Sequence, residues 1–252
     1  MSSRRFALLV GLCAFLLNGP ALAATISIAV GGNPLTNLPA GASSYDEATG
    51  VTDWWLTDNQ GKVTASNTWG SEGLGIIISR FDAQLKEDPF VTNNVTFLNP
   101  TGITQTFTVT ITLPIPGGFG YDATIASSIG VTVTDSTNGT ATASSTPGQG
   151  IYSGQVNGVT ILTLMPHLTT VGCASGVGCT GTGSDNTALG QLPAGPGTAN
   201  SIGIVLKFTL TPFDQIAITS RFEIIDAVPE PGAAALLGTG LLGLAIVRRR
   251  AH

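Results

Sequence analysis

The sequence predicts an all-β protein, an antiparallel β-sandwich or a jelly-roll-like domain. Charged residues make up only 10% of the chain, against about 25% in ordinary soluble domains. Thr is about as frequent as Gly, which occurs 33 times. β-Branched residues favour strands and glycines favour the turns between them. Short strand-like segments with turn signals between them complete the pattern and indicate a sandwich.

Residues 1–23 are typical of a cleavable secretory signal peptide. The segment has a basic start, an apolar run and a small-residue cleavage site, which are Arg4 and Arg5, residues 6–17, and Ala21-Leu22-Ala23. Cleavage after Ala23 predicts Ala24 as the new N-terminus. The chain that follows, residues 24–227, is predicted to be one exported β-rich domain.

The segment from Ile103 to Leu113 gives the clearest strand pattern, because apolar residues and threonines alternate along it. One predicted face carries Ile103, Phe107, Val109, Ile111 and Leu113, and the other carries Thr104, Thr106, Thr108, Thr110 and Thr112. Such a strand buries one face and leaves the other wet, as in an antiparallel sandwich. Residues 202–210 and 216–225 predict two further strands.

Turn signals punctuate the domain. Asn157-Gly158 and Asn138-Gly139 are each a two-residue hairpin signal, and the segment 58–61 is a third. Residues 172–200 are poor in apolar runs and rich in Gly, Pro, Ser and Thr, so they are predicted to form one long surface loop. Residues 31–50 resemble them in composition and predict an ordered loop or a linker.

Few residues in the domain suit enzyme or metal chemistry. Cys173 and Cys179 are predicted to form a local disulfide in an oxidising compartment. His167 is the single histidine outside the C-terminal tail, which excludes a zinc site built on several imidazoles. The glycine pattern at 176–181 is followed by no helix, so a dinucleotide site is not expected. Residues 135–139 carry oxygen ligands but lack the alternating acids of a calcium loop. The sequence predicts no catalytic residue, cofactor or metal.

Aromatic residues and acids concentrate in the N-terminal part of the domain. Trp54 and Trp55 are adjacent, so in a strand they face opposite sides, one towards the core and one towards solvent. The exposed one is a candidate carbohydrate contact. Tyr45 and Trp69 belong to the same cluster. A carboxylate pair for glycoside hydrolysis would have to come from the nearby acids, which are Asp46, Glu47, Asp53, Asp58 and Glu72.

The charge balance limits the partners of the domain. The whole chain has a formal net charge of −5, and half of its basic residues lie in the two end segments. The middle keeps only Lys62, Arg80, Lys86, Lys207 and Arg221. A domain with so few basic residues repels phosphate backbones, which excludes nucleic acid as a partner. The same charge balance argues against docking on anionic lipid.

The C-terminal segment 228–252 has three parts in order. Pro229-Glu230-Pro231 comes first, an uncharged Gly/Ala/Leu run over 232–247 follows, and Arg248 to Arg250 end it. As a helix the run spans about 24 Å at ~1.5 Å per residue, which a locally thinned bilayer accommodates. The arginines predict that this end stays in the cytoplasm. A short transmembrane helix is therefore expected over 232–247.

This C-terminal segment closely resembles the PEP-CTERM sorting signal of exopolysaccharide-producing Gram-negative bacteria. The resemblance rests on Pro229, Glu230 and Pro231, the short apolar span, and Arg248, Arg249 and Arg250. It implies recognition by exosortase, a membrane protease-transpeptidase, and cleavage near the Pro-Glu-Pro motif. It also implies transient residence in the inner membrane before delivery to the envelope, cell surface or extracellular matrix.

The sequence leaves three functions open for the β domain. The first is a non-enzymatic structural or adhesive role in the envelope or biofilm matrix. The second is binding of matrix exopolysaccharide through Trp54 or Trp55, and the third is hydrolysis of that polysaccharide by a carboxylate pair. An exposed aromatic surface favours the second, and a cleft with two converging acids favours the third.

Overall fold

A computed structural model of the chain describes residues 24–35, 42–46, 48, 51–55, 63–67, 74–86, 89–119, 123–191 and 199–225. Over these ranges the protein consists of β-strands and turns without a helix, which confirms the predicted all-β class. The predicted signal peptide, transmembrane segment and Pro-Glu-Pro motif lie outside the described residues. Within the described ranges there is no helix long and apolar enough to span a bilayer.

The described residues form sixteen strands. In chain order they are β1 (Thr25–Val30), β2 (Asn33–Pro34), β3 (Ala42–Asp46), β4 (Val51–Trp55), β5 (Val63–Asn67), β6 (Leu74–Lys86), β7 (Phe90–Leu98), β8 (Gln105–Phe119), β9 (Thr124–Thr134), β10 (Ala141–Ser145), β11 (Tyr152–Val156), β12 (Val159–Leu164), β13 (Thr170–Cys173), β14 (Thr180–Gln191), β15 (Ala199–Leu210) and β16 (Gln215–Ile225).

The strands build two eight-stranded sheets that face each other. The first sheet has the order β12-β11-β15-β8-β1-β2, with β10 joining β15 and β13 joining β10. The second has the order β14-β9-β16-β7-β6-β4-β3, with β5 on the edge of β6. Each pairing between described strands is antiparallel. The result is an antiparallel β-sandwich, as the sequence predicts.

The core lies between the inward faces of the two sheets. Aromatic rings from both meet at its centre, where the centroids of Phe97 and Phe107 are 5.9 Å apart and those of Phe107 and Phe208 are 5.4 Å apart. Tyr152 of β11 also crosses the interface. Its hydroxyl donates to the carbonyl of Arg221 at 3.0 Å and accepts from the Ser127 hydroxyl at 2.7 Å, so the two sheets are joined by hydrogen bonds as well as by apolar packing.

The strand predicted over 103–113 is correct in its alternation and wrong in its start. Phe107 to Leu113 point inward at alternate positions, but the strand begins at Gln105 and Ile103 is 59% exposed. The buried Asn99 side chain explains the shift, since its amide donates to the carbonyls of Ile103, Leu210 and Thr211 at 2.9, 3.1 and 3.1 Å. Those bonds hold Ile103 in a turn before the strand.

Strands β15 and β16 confirm the two predicted late strands, with slightly wider bounds. The turn at Asn157-Gly158 also forms the predicted hairpin. Val156 pairs with Val159, and the turn residues have φ values of 51° and 74°. Both values lie in the left-handed region that a type I′ turn requires, which Asn and Gly tolerate best.

The other two hairpin predictions are wrong. Asn138-Gly139 follows β9, but β9 pairs with β14 and β16 whereas β10 belongs to the first sheet. The turn therefore carries the chain from one sheet to the other. The segment 58–61 lies outside the described residues, and the strands before and after it, β4 and β5, both pair with β6. They follow one another along a single edge instead of pairing together.

The long loop predicted over 172–200 is also wrong for most of its length. Residues 180–191 form β14, which pairs with β9 along the edge of the second sheet. The segment 31–50 likewise contains β2 and β3. In β14 the inward positions include Gly181 and Gly183, so the apolar alternation that identifies a strand is missing from its sequence.

Candidate functional site

The outward face of the second sheet carries a group of polar side chains around one tryptophan. Neighbouring strands align them in rows, because Trp55 of β4 pairs with Asp82 of β6, which pairs with Asn94 of β7. In the adjacent row Asp53 pairs with Gln84, which pairs with Thr92. Since side chains alternate across a strand, these residues all lie on the face opposite the core.

An irregularity in β6 sets this arrangement. The pairing of β6 with β7 shifts register between Ile78 and Arg80. Ile78 is buried, Ser79 and Arg80 are both exposed, and Phe81 is buried again. One extra residue of this kind reverses the face of everything that follows it. The bulge therefore keeps Phe81 in the core and turns Arg80 and Asp82 outward together.

The two adjacent tryptophans lie on opposite faces of β4. Trp54 faces inward and packs edge-on against Phe81, with ring centroids 5.4 Å apart and an interplanar angle of 86°. Trp55 is half-buried on the outer face. Tyr45 pairs with Thr52 at the sheet edge and is 64% exposed. Trp69 lies outside the described residues.

Beside Trp55 lies a cavity of about 290 Å³, which we call the Trp55 depression. Its lining comes from β4, β6 and β7, and consists of Asp53, Trp54, Trp55, Arg80, Asp82, Ala83, Gln84, Thr92, Asn93 and Asn94. It therefore combines one outward aromatic ring with carboxylate, amide, hydroxyl and guanidinium groups. Sites for small polar ligands are commonly built from an apolar surface and a few converging polar groups.

Hydrogen bonds hold the polar groups of the Trp55 depression in place. The Arg80 guanidinium binds Asp82 through two nitrogens, with Nε 2.7 Å from Oδ2 and Nη2 3.0 Å from Oδ1. The Gln84 amide donates to Asp53 Oδ1 at 2.9 Å. Bidentate guanidinium–carboxylate pairs restrict geometry more than single contacts do. The acceptor oxygens of both acids are thus presented in fixed positions.

The polar face continues beyond the depression onto β16, where Arg221 pairs with Thr92 of β7. Arg221 Nη2 donates to Glu223 Oε2 at 2.6 Å, and its guanidinium lies 6.0 Å from the centroid of the Phe90 ring. Arg80 and Arg221 are therefore both neutralised by a carboxylate on the same surface. This part of the sheet offers hydrogen-bonding groups with little net charge.

Of the predicted hydrolytic acids, the structure describes only Asp46 and Asp53, and these two lie apart. Asp53 lies in the Trp55 depression, whereas Asp46 is exposed on the edge strand β3 and accepts from the Ala48 N–H at 2.9 Å. Glu47, Asp58 and Glu72 lie outside the described residues. The acid that does accompany Asp53 is Asp82, which the sequence prediction did not include. The alternation in Phe81-Asp82-Ala83-Gln84-Leu85 contained that signal, since it places Asp82 and Gln84 on one face.

The other predicted site residues lie away from this surface. Cys173 and Cys179 are joined by a disulfide, with Cα atoms 5.9 Å apart. His167 is exposed, and its Nδ1 accepts from the Gly148 N–H at 3.2 Å. The glycine pattern at 176–181 leads from the disulfide loop into β14, with no helix after it among the described residues.

Fold and surface together define the class, which is an antiparallel β-sandwich whose polar outer face carries a half-buried tryptophan. At the C-terminal end of the sequence, residues 227–250 match the family model of the PEP-CTERM protein-sorting motif. The chain therefore carries a PEP-CTERM sorting motif at residues 227–250, which confirms the resemblance of this segment. The motif implies export, sorting to the cell envelope or surface, and processing by exosortase, a membrane protein.

Similarity to solved structures is low. The carbohydrate-binding module TmCBM61 in complex with β-1,4-galactotriose matches with a TM-score of 0.27 at 12% identity, over 75% of this chain and 90% of that one. A cyclase from Fischerella sp. TAU in complex with 4-(1H-indol-3-yl)butan-2-one has a TM-score of 0.28 at 10% identity, over 76% and 92% of the two chains. Neither likeness carries an argument about function. No curated protein matches the sequence.

Proposed function

We propose that the protein is a non-enzymatic component of the cell envelope or biofilm matrix, and that it acts as an adhesin by binding matrix exopolysaccharide at the Trp55 depression. The observation that carries the proposal is the outward ring of Trp55 beside fixed carboxylate and amide groups. An aromatic face packs against the C–H face of a sugar ring, while the polar groups around it bind the hydroxyls.

The paired charges on this face favour a neutral glycan. Arg80 and Arg221 are each bound to an acid on the same surface, so neither is free to attract an anionic polymer. The pairing of the arginines with acids costs a neutral polyol little binding free energy, because a polyol binds through hydrogen-bond donors and acceptors and does not require net charge. The amide groups of Gln84 and Asn94 and the hydroxyl of Thr92 supply both kinds of group.

Hydrolysis has weaker support from the same geometry. A glycosidase needs one carboxyl group that donates a proton and a second that acts as nucleophile or base. Asp82 is bound by the Arg80 guanidinium and Asp53 by the Gln84 amide, so both serve as hydrogen-bond acceptors. Acceptors of this kind suit the binding of sugar hydroxyls.

The proposal is tested by the variant Trp55→Ala, with Tyr45→Ala as the matched control. Tyr45 is an exposed aromatic on the neighbouring strand that does not line the Trp55 depression. We expect Trp55→Ala to weaken binding to host exopolysaccharide at least tenfold and Tyr45→Ala to leave it within twofold. Isothermal titration calorimetry on the exported protein measures both.

Equal losses in the two variants would contradict the assignment of the depression. Absence of binding by the unsubstituted protein would reject carbohydrate binding and leave a purely structural role. A reducing-sugar assay on the same polysaccharide checks the non-enzymatic part of the proposal, since release of sugar that Asp82→Asn abolishes would overturn it.

A further inference from the structure

The polar row that begins at the outward tryptophan continues across the second sheet. The strands β4, β6, β7, β16, β9 and β14 are neighbours in this sheet. Their registers place one outward residue of each strand directly beside the next, and directly paired residues share a face. The resulting row, which we call the cross-strand row, consists of Trp55, Asp82, Asn94, Thr219, Gly130 and Ser184.

The cross-strand row is longer than the Trp55 depression. Neighbouring strands lie about 4.8 Å apart, so the five spacings between six strands make the row about 24 Å long. The depression is lined only by β4, β6 and β7, which are the first three of these strands. A chain of pyranose sugars advances by about one strand spacing, ~5 Å, for each sugar. The whole row therefore matches the length of about five sugars.

The part of the row beyond the depression has a low floor and unoccupied hydrogen-bonding groups. Gly130 lacks a side chain, and a Cβ built on it would lie 3.1 Å from Thr219 Oγ1, so the Thr219 hydroxyl lies beside this gap. Thr219 and Ser184 are exposed. Within the part of the chain that the structure describes, their hydroxyls and the Asn94 amide hydrogen-bond to no other residue. These groups are therefore open to the hydroxyls of a ligand.

A second row of outward residues follows the first and gives it a rim. Gln84 of β6 and Arg221 of β16 both pair with Thr92 of β7, which lies between them. The two long side chains are held in place, because the Gln84 amide donates to Asp53 Oδ1 at 2.9 Å and Arg221 Nη2 donates to Glu223 Oε2 at 2.6 Å. The cross-strand row is thus bordered on one side by longer side chains of fixed position.

The charge of the cross-strand row suits a neutral ligand. Its one ionised residue is Asp82, which is bound by the Arg80 guanidinium through two nitrogens. The other five positions carry no charge, and none of them supplies an unpaired cation for an anionic polymer. The whole chain also has a formal net charge of −5, which repels such a polymer. The row and a neutral glycan are therefore compatible in charge along the full length.

We propose that the cross-strand row binds a segment of neutral polysaccharide about five sugars long, laid across the strands from Trp55 to Ser184. This inference rests on the proposed function, because it extends the site at the Trp55 depression to the far edge of the sheet. The Trp55 ring packs against one sugar, and the amide and hydroxyl groups along the row bind those that follow. The protein therefore selects polymer over short fragments.

The first test measures how affinity depends on chain length. Host exopolysaccharide is partly hydrolysed with acid, and size-separated fragments of about two to about eight sugars are titrated calorimetrically into the exported protein. We expect Kd to fall at least tenfold between two and about five sugars, and by less than about threefold beyond that, because the row offers no further position. A Kd that is already as low for two sugars as for eight would overturn the inference.

The second test compares Thr219→Ala with Thr134→Ala. Thr134 lies on the same outer face, four residues from Gly130 along β9, and is not part of the cross-strand row. We expect Thr219→Ala to weaken binding of the five-sugar fragment by about threefold to tenfold, the usual effect of one lost hydrogen bond. Binding of the two-sugar fragment should stay within twofold, and Thr134→Ala should leave both fragments within twofold.

The inference and the proposed function fail in different ways. If Trp55→Ala abolishes binding of every fragment while Thr219→Ala changes none, the depression binds sugar and its extension along the row is wrong. If Trp55→Ala changes the binding of no fragment, the proposed function is itself rejected, and the extension with it. Equal losses in Thr219→Ala and Thr134→Ala would contradict the row, because the glycan would then bind the polar face without following the strand register.

Discussion

Adjacent aromatic residues have different roles at positions 54 and 55. The ring of Trp54 packs edge-on against the buried Phe81, whereas the ring of Trp55 lines the outer depression. Alternation along β4 is sufficient to produce this difference, because consecutive side chains in a strand point to opposite faces. Stability and binding are therefore expected to depend on different members of the pair.

The variant Trp54→Ala should lower the free energy of unfolding by about 2 kcal/mol. This is below the full cost of truncating a buried aromatic, since Trp54 is only partly buried. Trp55→Ala should change it by about 1 kcal/mol or less, because Trp55 is half-buried on the outer face and does not pack against the core as Trp54 does. Urea unfolding followed by fluorescence of the remaining tryptophans measures both. A larger loss in Trp55→Ala than in Trp54→Ala would contradict the assignment of faces.

Single residues also show what could be predicted from the sequence at this scale. The alternation from Phe107 to Leu113 and the opposite faces of Trp54 and Trp55 follow from local geometry alone. The position of Ile103 could not be predicted in that way. The buried Asn99 amide donates to the carbonyl of Ile103, and it is held in place by the carbonyls of Leu210 and Thr211, which lie over a hundred residues away in sequence. The apolar side chain of Ile103 predicted burial, but the hydrogen bond from Asn99 holds this residue in an exposed turn.

At the scale of elements, β14 shows why a strand can lack apolar alternation. Gly181 faces inward, where a Cβ would overlap the carbonyl oxygen of Gly172 in β13. A Cβ at Gly172 would in turn lie 2.6 Å from the carbonyl oxygen of Ala141 in β10. Backbone packs against backbone at this corner of the sandwich, so the inward positions are glycines where a strand normally carries Val or Ile. A composition-based reading of 172–200 therefore predicted a loop.

This close approach predicts a selective effect of added bulk. Gly181→Ala should destabilise the protein by about 1–3 kcal/mol, the usual cost of overpacking, because the atom in the way is backbone and cannot rotate aside. Ser184→Ala is the matched control, since Ser184 is exposed on the same strand and should change stability by less than about 0.5 kcal/mol. Chemical denaturation of both variants tests the packing, and equal stability would show that β13 and β14 do not approach this closely.

The turns illustrate a similar limit. Asn157-Gly158 and Asn138-Gly139 carry the same local signal, but only the first joins paired strands. What separates them is the partner of the strand that follows, since β10 pairs with β13 and β15 in the first sheet. Those pairings join residues far apart in sequence, which turn chemistry does not specify.

For the whole molecule, the fold class and the sorting signal follow from sequence, whereas the strand order does not. Period-two patterns and turns predict a sandwich, and the three-part C-terminal pattern identifies the sorting motif without any structure. The Trp55 depression could not be predicted from the sequence, because it depends on the pairing of β4, β6 and β7 and on the bulge at Ser79. The pairing of β9 with β16 likewise could not be predicted, and it places the buried Asp135 and Asp214 at the same end of the sandwich across 79 residues of chain.

Processing is predicted at both ends of the chain. Protein recovered from its native host should begin at Ala24 and end within residues 228–231, because a predicted signal peptide and the sorting motif flank the β domain. Intact mass with sequencing of the terminal peptides measures this. A mature form that retains Arg248 to Arg250 would contradict cleavage at the Pro-Glu-Pro motif and would indicate a protein that stays in the inner membrane.

The position of β16 has a consequence for the order of events during export. This last strand lies in the interior of the second sheet, between β7 and β9, and ends at Ile225, just before the sorting motif begins at residue 227. The sheet has a gap at its centre until β16 arrives, so strands made earlier cannot complete it. We therefore expect nearly the whole chain to be exported before the domain closes, so that completion of the fold would coincide with exposure of the sorting motif to exosortase.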